Sequence, residues 1–267
     1  MDNSDFPKTI WFLWLQGLDN APFVVQKCYG SWLKHNPDWN IVFLDESNLA
    51  DYISLKPMQI TQQALSDMLR INLLAKYGGI WVDATCFCNK PLNEWIYNYM
   101  ASGFFAFDKP ANDRMISSWF MASAKSSYII LAYQNAVNNY WNTNPGITFF
   151  EDSKWRFFNR YFKRRNAQVW FSALVTKLLK IYPYFWFHYL FESIYLNDEK
   201  VRQLWDQPPK ISADIPHKLQ FEGLFKDLTA QIKEEIDSKV SPVYKLTWKY
   251  DPSAYKEGTI MHYLLSS

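Results

Sequence analysis

Asp67-Met-Leu-Arg70 stands a few residues ahead of Tyr77-Gly78-Gly79-Ile80-Trp81-Val82-Asp83-Ala84-Thr85. The segment reads as a helix, a two-glycine turn, a short apolar strand and a carboxylate at the strand's end. Ala64, Met68, Ile71 and Ala75 recur at the period of one apolar helix face, which predicts a helix over residues 62–77. Gly78 suits the stop, because a residue past the last turn often takes the left-handed conformation. From Asp67 to Tyr77 such a helix advances about 15 Å, at ~1.5 Å per residue. From Gly79 to Asp83 a strand can run back about 13 Å, at ~3.3 Å per residue. A reversal at the glycines therefore returns Asp83 to the level of Asp67 and Arg70, which share a helix face at i,i+3. Two carboxylates and a guanidinium are expected at one place.

The flanking sequence supplies a sheet for that strand. Residues 8–15 (KTIWFLWL) are apolar and β-rich and open into Gln16-Gly17, as a buried first strand would. Residues 22–35 read as a helix begun by Pro22, with Val24, Val25, Cys28 and Trp32 at helical spacing. Asn36-Pro37-Asp38 is a turn, and residues 40–44 (NIVFL) form a second strand ending at Asp45. This β-α-β order favours a mixed, mostly parallel α/β sheet with its ligand crevice at the carboxyl ends of the strands. Trp14, Asp45 and Asp83 all sit near such ends. Further on, residues 104–107 suggest a strand, 117–122 a strand running into a loop, and 127–141 a helix. Residues 153–205 are expected to be mostly helical and hold the densest aromatics, notably 182–190 (YPYFWFHYL). Pro208-Pro209 marks a break, 229–239 a polar helix and 243–248 a late strand. No internal repeat or linker divides the chain. The expectation is one domain over 1–267, with core at about 1–150 and 208–267. A helical, aromatic and basic insertion at about 151–207 would face an acceptor or a membrane.

Composition narrows the class. A chain of 267 residues with 49% apolar side chains can bury a sizeable core, and its 8 glycines and lack of low-complexity runs argue against disorder. Lys+Arg 28 against Asp+Glu 26 gives a formal charge of +2, which speaks against a dedicated nucleic-acid binder. The 3 cysteines, Cys28, Cys86 and Cys88, make neither a disulfide framework nor a zinc site and suggest a reducing compartment. Met1-Asp-Asn-Ser-Asp5 is polar and acidic, unlike a signal peptide, and no uncharged apolar run reaches the ~18 residues of a membrane span. A cytoplasmic location is the matching expectation. The 13 Trp, 17 Tyr and 20 Phe fit either a ring-rich core or surfaces that stack on ligands or meet a membrane.

The charged residues of the opening segment admit several readings. A carboxylate leaving a buried strand is costly unless it is paired or binds something; capping the next turn is the simpler alternative. An i,i+3 Asp–Arg pair is commonly a surface ion pair of little energetic weight. The Asp-x-Asp-x-Thr pattern of phosphatases lacks its second Asp here. A two-carboxylate glycoside hydrolase could use Asp67 and Asp83, but Arg70 is expected to lower the pKa of Asp67, the opposite of what a general acid needs. Groups of opposite sign do suit a sugar ring, whose hydroxyls both donate and accept.

Taken together, Ser66-Asp67-x-x-Arg70 and Tyr77-Gly78-Gly79-Ile80-Trp81-Val82-Asp83-x-Thr85 resemble the signature of the DXD-containing sugar-binding glycosyltransferases, the family 32-like group. That group includes yeast-type α-mannosyltransferases, glucosylating clostridial toxins and bacterial capsular polysaccharide synthesis proteins. The capsular branch looks closest, because its members often read Gly-Gly-x-Trp-x-Asp-Ala-Thr, and the opening at residues 8–17 fits it too. The likeness is strongest over about 6–95 and weaker through the aromatic middle and 245–248. It implies a GT-A-type nucleotide-diphospho-sugar transferase fold and transfer of a hexose to a bacterial capsular or surface polysaccharide, with retention of anomeric configuration. Partners would be a nucleotide-sugar donor and an oligosaccharide or lipid-linked acceptor. By the resemblance, Asp83, Asp67 and Arg70 are the catalytic positions. Trp14 would stack on the base, and Leu13, Gly17, Gly79, Trp81 and Thr85 would complete the donor site.

Thr85 is the departure from that pattern. The group usually places a second Asp there to bind Mn²⁺ or Mg²⁺, which neutralises the leaving diphosphate. Here either Asp83 holds a metal with other groups, His262 being a late candidate, or basic side chains such as Arg70, Lys245 or Lys249 do that work. The same departure leaves open a catalytically inactive nucleotide-sugar-binding protein on this fold. Separately, residues 154–165 interleave Lys154, Arg156, Arg160, Lys163, Arg164 and Arg165 with aromatic rings. That stretch is either a solvated basic face or a peripheral contact with anionic lipid at the inner face of the membrane. A membrane-associated interaction protein built on it is the third reading.

Overall fold

The glycine reversal sets the architecture. The computed structural model describes residues 6–55, 59–150 and 167–266. Helix α3 (Gln62–Tyr77) starts where the Thr61 side chain accepts from the Ala64 N–H at 3.2 Å and stops at Gly78, whose φ is 72°. Strand β3 (Gly79–Asp83) begins at once. A Cβ on Gly78 would lie 2.7 Å from the Lys125 nitrogen, and one on Gly79, at φ 92°, would lie 2.4 Å from the Thr9 carbonyl oxygen. Only glycine fits both places. The Trp11 indole locks the turn by donating to the Gly78 carbonyl at 2.9 Å.

β3 is the central strand of five. Strand β1 (Thr9–Leu13) pairs parallel with it, and β2 (Asn40–Leu44) pairs parallel with β1; helix α1 (Phe23–His35) connects the two. A short helix α2 (Leu49–Tyr52) follows β2. After β3 the chain forms β4 (Cys86–Cys88), then a hairpin of β5 (Phe104–Ala111) and β6 (Arg114–Ser123). β6 pairs antiparallel with β3, so the order is β2-β1-β3-β6-β5 and β6 alone runs against the other four. The expected strand-into-loop at 117–122 is thus a full strand of the main sheet. The first strand is shorter than expected, because Trp14 already belongs to a turn closed by the Gly17 N–H on its carbonyl at 3.0 Å.

Helix α4 (Tyr128–Thr143) and the short strands β7 (Thr148–Phe149) and β8 (Ile181–Tyr182) lead to α5 (Trp186–Asn197) and α6 (Glu199–Asp206). The C-terminal part adds α7 (Asp214–Glu222), α8 (Ala230–Asp237), β9 (Val243–Lys245) and α9 (Ile260–Ser266). β9 joins β4, not the main sheet, with Cys86 opposite Lys245. Period-two alternation divides the core between the two faces. Ile10, Phe12, Ile80 and Val82 pack with α1 and the C-terminal elements, whereas Trp11 and Trp81 pack with α3, α4 and α5. Trp186, Phe187, Tyr189, Leu190 and Phe191 are all buried, so the aromatic run at 182–190 serves largely as core. The basic stretch 154–165 lies outside the described residues. Among the described residues no helix is long and apolar enough to cross a membrane.

Candidate donor site at the strand ends

The parallel register puts Leu13 beside both Leu44 and Asp83, so β1, β2 and β3 end along one edge. Asp83 shares the face of Trp81, the side covered by α3. Arg70 reaches it from that helix: Nη2 donates to Asp83 Oδ1 at 3.2 Å, and Nη1 lies 3.3 Å from Asp67 Oδ1. The convergence inferred from helix rise and strand rise is therefore present in the fold.

Arg70 differs in one respect from its expected role beside a phosphate. Nη1 also donates to the Ser118 carbonyl at 2.6 Å, Nη2 to Ser66 Oγ at 3.0 Å and Nε to the Ser66 carbonyl at 3.4 Å. With Asp67 and Asp83 added, the five N–H groups of a guanidinium are all occupied. Its Cζ lies over two aromatic rings, 5.1 Å from the Trp81 centroid and 5.8 Å from that of Phe187. Arg70 is a buried hub that orients two carboxylates, and it has no free donor for a ligand.

The two carboxylates part ways electrostatically. Burial pushes Asp67 up to about 7, because Arg70 is shared and the Asp83 charge opposes ionisation. Arg70 does act downward on Asp67, as expected, but desolvation outweighs the ion pair and the net shift is upward. At Asp83 burial also acts upward, but the charges of Lys245 and Arg70 and hydrogen bonds from Trp81 and Lys245 hold the carboxyl well below the usual range. Trp81 Nε1 donates to Asp83 Oδ1 at 3.0 Å. At neutral pH Asp83 is a fixed anion and Asp67 stands near its midpoint.

These groups line a cavity of about 800 Å³ together with Leu13, Trp14, Thr85, Tyr184, His188, Lys245, Trp248 and Lys249. That size lies within the range of small-molecule sites. Trp14 and Trp248 meet edge to face, with centroids 5.7 Å apart, and the buried Trp14 Nε1 has no hydrogen-bond partner among the described residues. Gly17 closes the neighbouring turn but is not in the lining. Gly79 stands at the far end of β3, where its work is the close approach to Thr9. Asp45 is turned to its own loop, accepting from the Ser47 N–H at 2.8 Å. His262 packs on α9 with its ring 5.5 Å from that of Tyr255 and is not in the lining either.

Two further residues line the cavity: Lys245, already a candidate from its charge, and His188, which carries no local signal in the sequence. His188 belongs to the aromatic helix α5; burial and the charges of Arg114 and Arg70 push it down to about 3, so it is neutral, and its Nδ1 has no partner among the described residues. Lys245 arrives on β9: its Nζ donates to Thr85 Oγ1 at 2.8 Å and to Asp83 Oδ2 at 3.2 Å. Among the described residues no group of three or more His, Cys, Asp or Glu side chains could hold a metal ion. The donor set fits a divalent ion poorly, since Lys245 already takes Asp83 Oδ2 and the Thr85 hydroxyl, and Arg70 and Trp81 take Oδ1.

Fold and site define an α/β protein with a mixed sheet, flanking helices and a polar, aromatic-edged cavity at the ends of its parallel strands. The chain belongs to the capsular polysaccharide synthesis protein family, whose model matches residues 2–150 and 165–264. It is 25% identical over 168 residues to the O-glycosyltransferase braB of Annulohypoxylon truncatum, a match covering 54% of this chain and 40% of that protein. The chain thus spans well under half the length of this curated relative. Among solved structures it is similar to the PaToxG glycosyltransferase, at 16% identity and a TM-score of 0.42, over 88% of this chain and 84% of the other.

Proposed function

We propose that the cavity is a nucleotide-sugar donor site and that the chain is a glycosyltransferase of the GT-A type, formed as one domain. It would transfer a hexose to a bacterial capsular or surface polysaccharide, free or lipid-linked, working in the cytoplasm or at the inner face of the membrane. The observation that carries the reading is the convergence of Asp67, Arg70 and Asp83 at the ends of parallel strands, facing an open cavity edged by tryptophan. In α/β folds that edge is where ligands bind.

Each side chain has work in this reading. Trp14 and Trp248 offer aromatic surface for the base. Asp83, an anion, accepts from sugar hydroxyls, while Asp67 can accept or, when protonated, donate. Neutral His188 adds a hydrogen-bonding group at the wall of the cavity. Arg70 positions the two carboxylates and does not touch the donor. Both carboxylates are tied to cations, so neither is free as a nucleophile; with the retention that the resemblance implies, the acceptor would be delivered from the front face.

The test is release of nucleoside diphosphate from a panel of nucleotide-sugars, with and without glycan acceptors. One donor is expected to turn over, and Asp83→Ala should slow it about 100-fold, the order of loss seen when a reacting group is misplaced. Normal turnover by a folded Asp83→Ala protein would refute the site. Saturable donor binding without turnover under all conditions would favour the second reading, a non-catalytic binding protein, which the threonine at position 85 supports.

A further inference from the structure

We propose that the Lys245 ammonium takes the place of a divalent metal ion in this site, so that the diphosphate of the donor is bound without metal. The inference rests on the donor-site reading above. A late segment of the chain is built to bring this cation in. β9 pairs antiparallel with β4, with Lys245 opposite Cys86, the residue directly after the Asp83-Ala84-Thr85 corner. The Leu246 N–H donates to the Thr85 carbonyl at 2.8 Å and pins the strand there. The backbone thereby fixes the root of the lysine side chain before its charge is considered.

The ammonium then bridges the two motif positions. It donates to Asp83 Oδ2 at 3.2 Å and to Thr85 Oγ1 at 2.8 Å, with only 17% of the side chain exposed. An ammonium has three N–H donors. Two are spent on the protein, which leaves one for the cavity that Lys245 lines. Threonine suits this arrangement better than aspartate would. Its hydroxyl accepts from the ammonium without cancelling its charge, whereas a second carboxylate would neutralise it and draw a dication. A divalent ion on Asp83 would instead face a fixed positive charge at contact distance, with Oδ1 already held by Arg70 and Trp81. The residue at 85 and the residue at 245 therefore form one exchange: the carboxylate is gone, and a built-in cation sits where its metal would be. Lys249 lines the same cavity and adds a second positive charge toward a diphosphate.

The experiment is calorimetric titration of chelator-treated protein with UDP, GDP, ADP and CDP, repeated with millimolar Mn²⁺ or Mg²⁺. The wild-type chain is expected to bind one of these with affinities that agree within about threefold with and without metal. Lys245→Met should weaken that binding at least about 30-fold, as loss of a desolvated charge partner does, and Lys245→Arg should recover most of it. The double substitution Lys245→Ala with Thr85→Asp should bind only when metal is added. Binding by the wild-type chain that requires metal would overturn the inference while leaving the donor site standing, and this arm does not depend on how any variant folds. Unchanged binding by a folded Lys245→Met protein would also overturn it. No binding of any nucleotide, with or without metal, would overturn both the inference and the donor-site reading.

Discussion

Replacing Asp67 with asparagine should change how stability depends on pH more than it changes stability at any one pH. In the folded chain the Asp67 carboxyl lies at about 7, against an ordinary value of 3.8. The native state therefore holds this proton more tightly than the unfolded chain does. Stability is favoured while Asp67 is protonated and declines as pH rises from about 4 to about 7. The gap is roughly 3 pH units, and each is worth ~1.4 kcal/mol, so the full effect is up to about 4 kcal/mol. Asp83 has the opposite sign: its depressed carboxyl adds stability above about pH 4 that is lost below it. Asparagine keeps the shape of Asp67 but does not titrate. The stability of Asp67→Asn minus that of the wild type should thus rise by up to about 4 kcal/mol between pH 4 and pH 8. Urea unfolding followed by the fluorescence of the 13 tryptophans, at half-unit pH steps, measures it. A difference that stays flat, or that falls with pH, would refute the claim that burial outweighs the Arg70 pair at this position.

Two further outcomes follow from the same geometry. Gly79→Ala places a Cβ 2.4 Å from the Thr9 carbonyl at a φ of 92°, and urea unfolding should show a loss of at least about 2 kcal/mol. His188→Phe removes an unpartnered Nδ1 from the cavity wall; the fold should survive, while KM for the preferred donor rises and discrimination among sugars narrows in turnover assays.

The half of the site that comes from one continuous segment was legible in the sequence. The period of α3, the paired glycines and the apolar run Ile80-Trp81-Val82 are local signals, and rise per residue was enough to bring Asp83 back to Arg70. The other half was legible only in part: Lys245 stood among the candidate basic side chains and 243–248 as a late strand, with nothing to say where either would lie. Lys245 meets Asp83 across 162 residues through the pairing of β9 with β4, and no local pattern foretells a two-stranded ladder outside the main sheet. His188 hides in an aromatic run whose spacing signals only burial. β6 begins at Arg114, three residues ahead of the strand read at 117–122, and so carries Ser117 and Ser118 within the sheet. Their polarity is tolerated inside the sheet, and the Ser118 carbonyl serves Arg70. The role of Arg70 needed coordinates for a different reason: its charge suggested a phosphate contact, and only a count of its donors shows that none is free.

The central claim is that the cavity at the strand ends takes a nucleotide-sugar through Asp83. Calorimetric titration of the intact chain with a panel of nucleotide-sugars, beside a folded Asp83→Asn variant, tests it most directly. One donor should bind the wild type saturably at one site per chain, and the variant should bind it at least about tenfold more weakly. Absence of binding across the panel, or equal affinity in the variant, would contradict it.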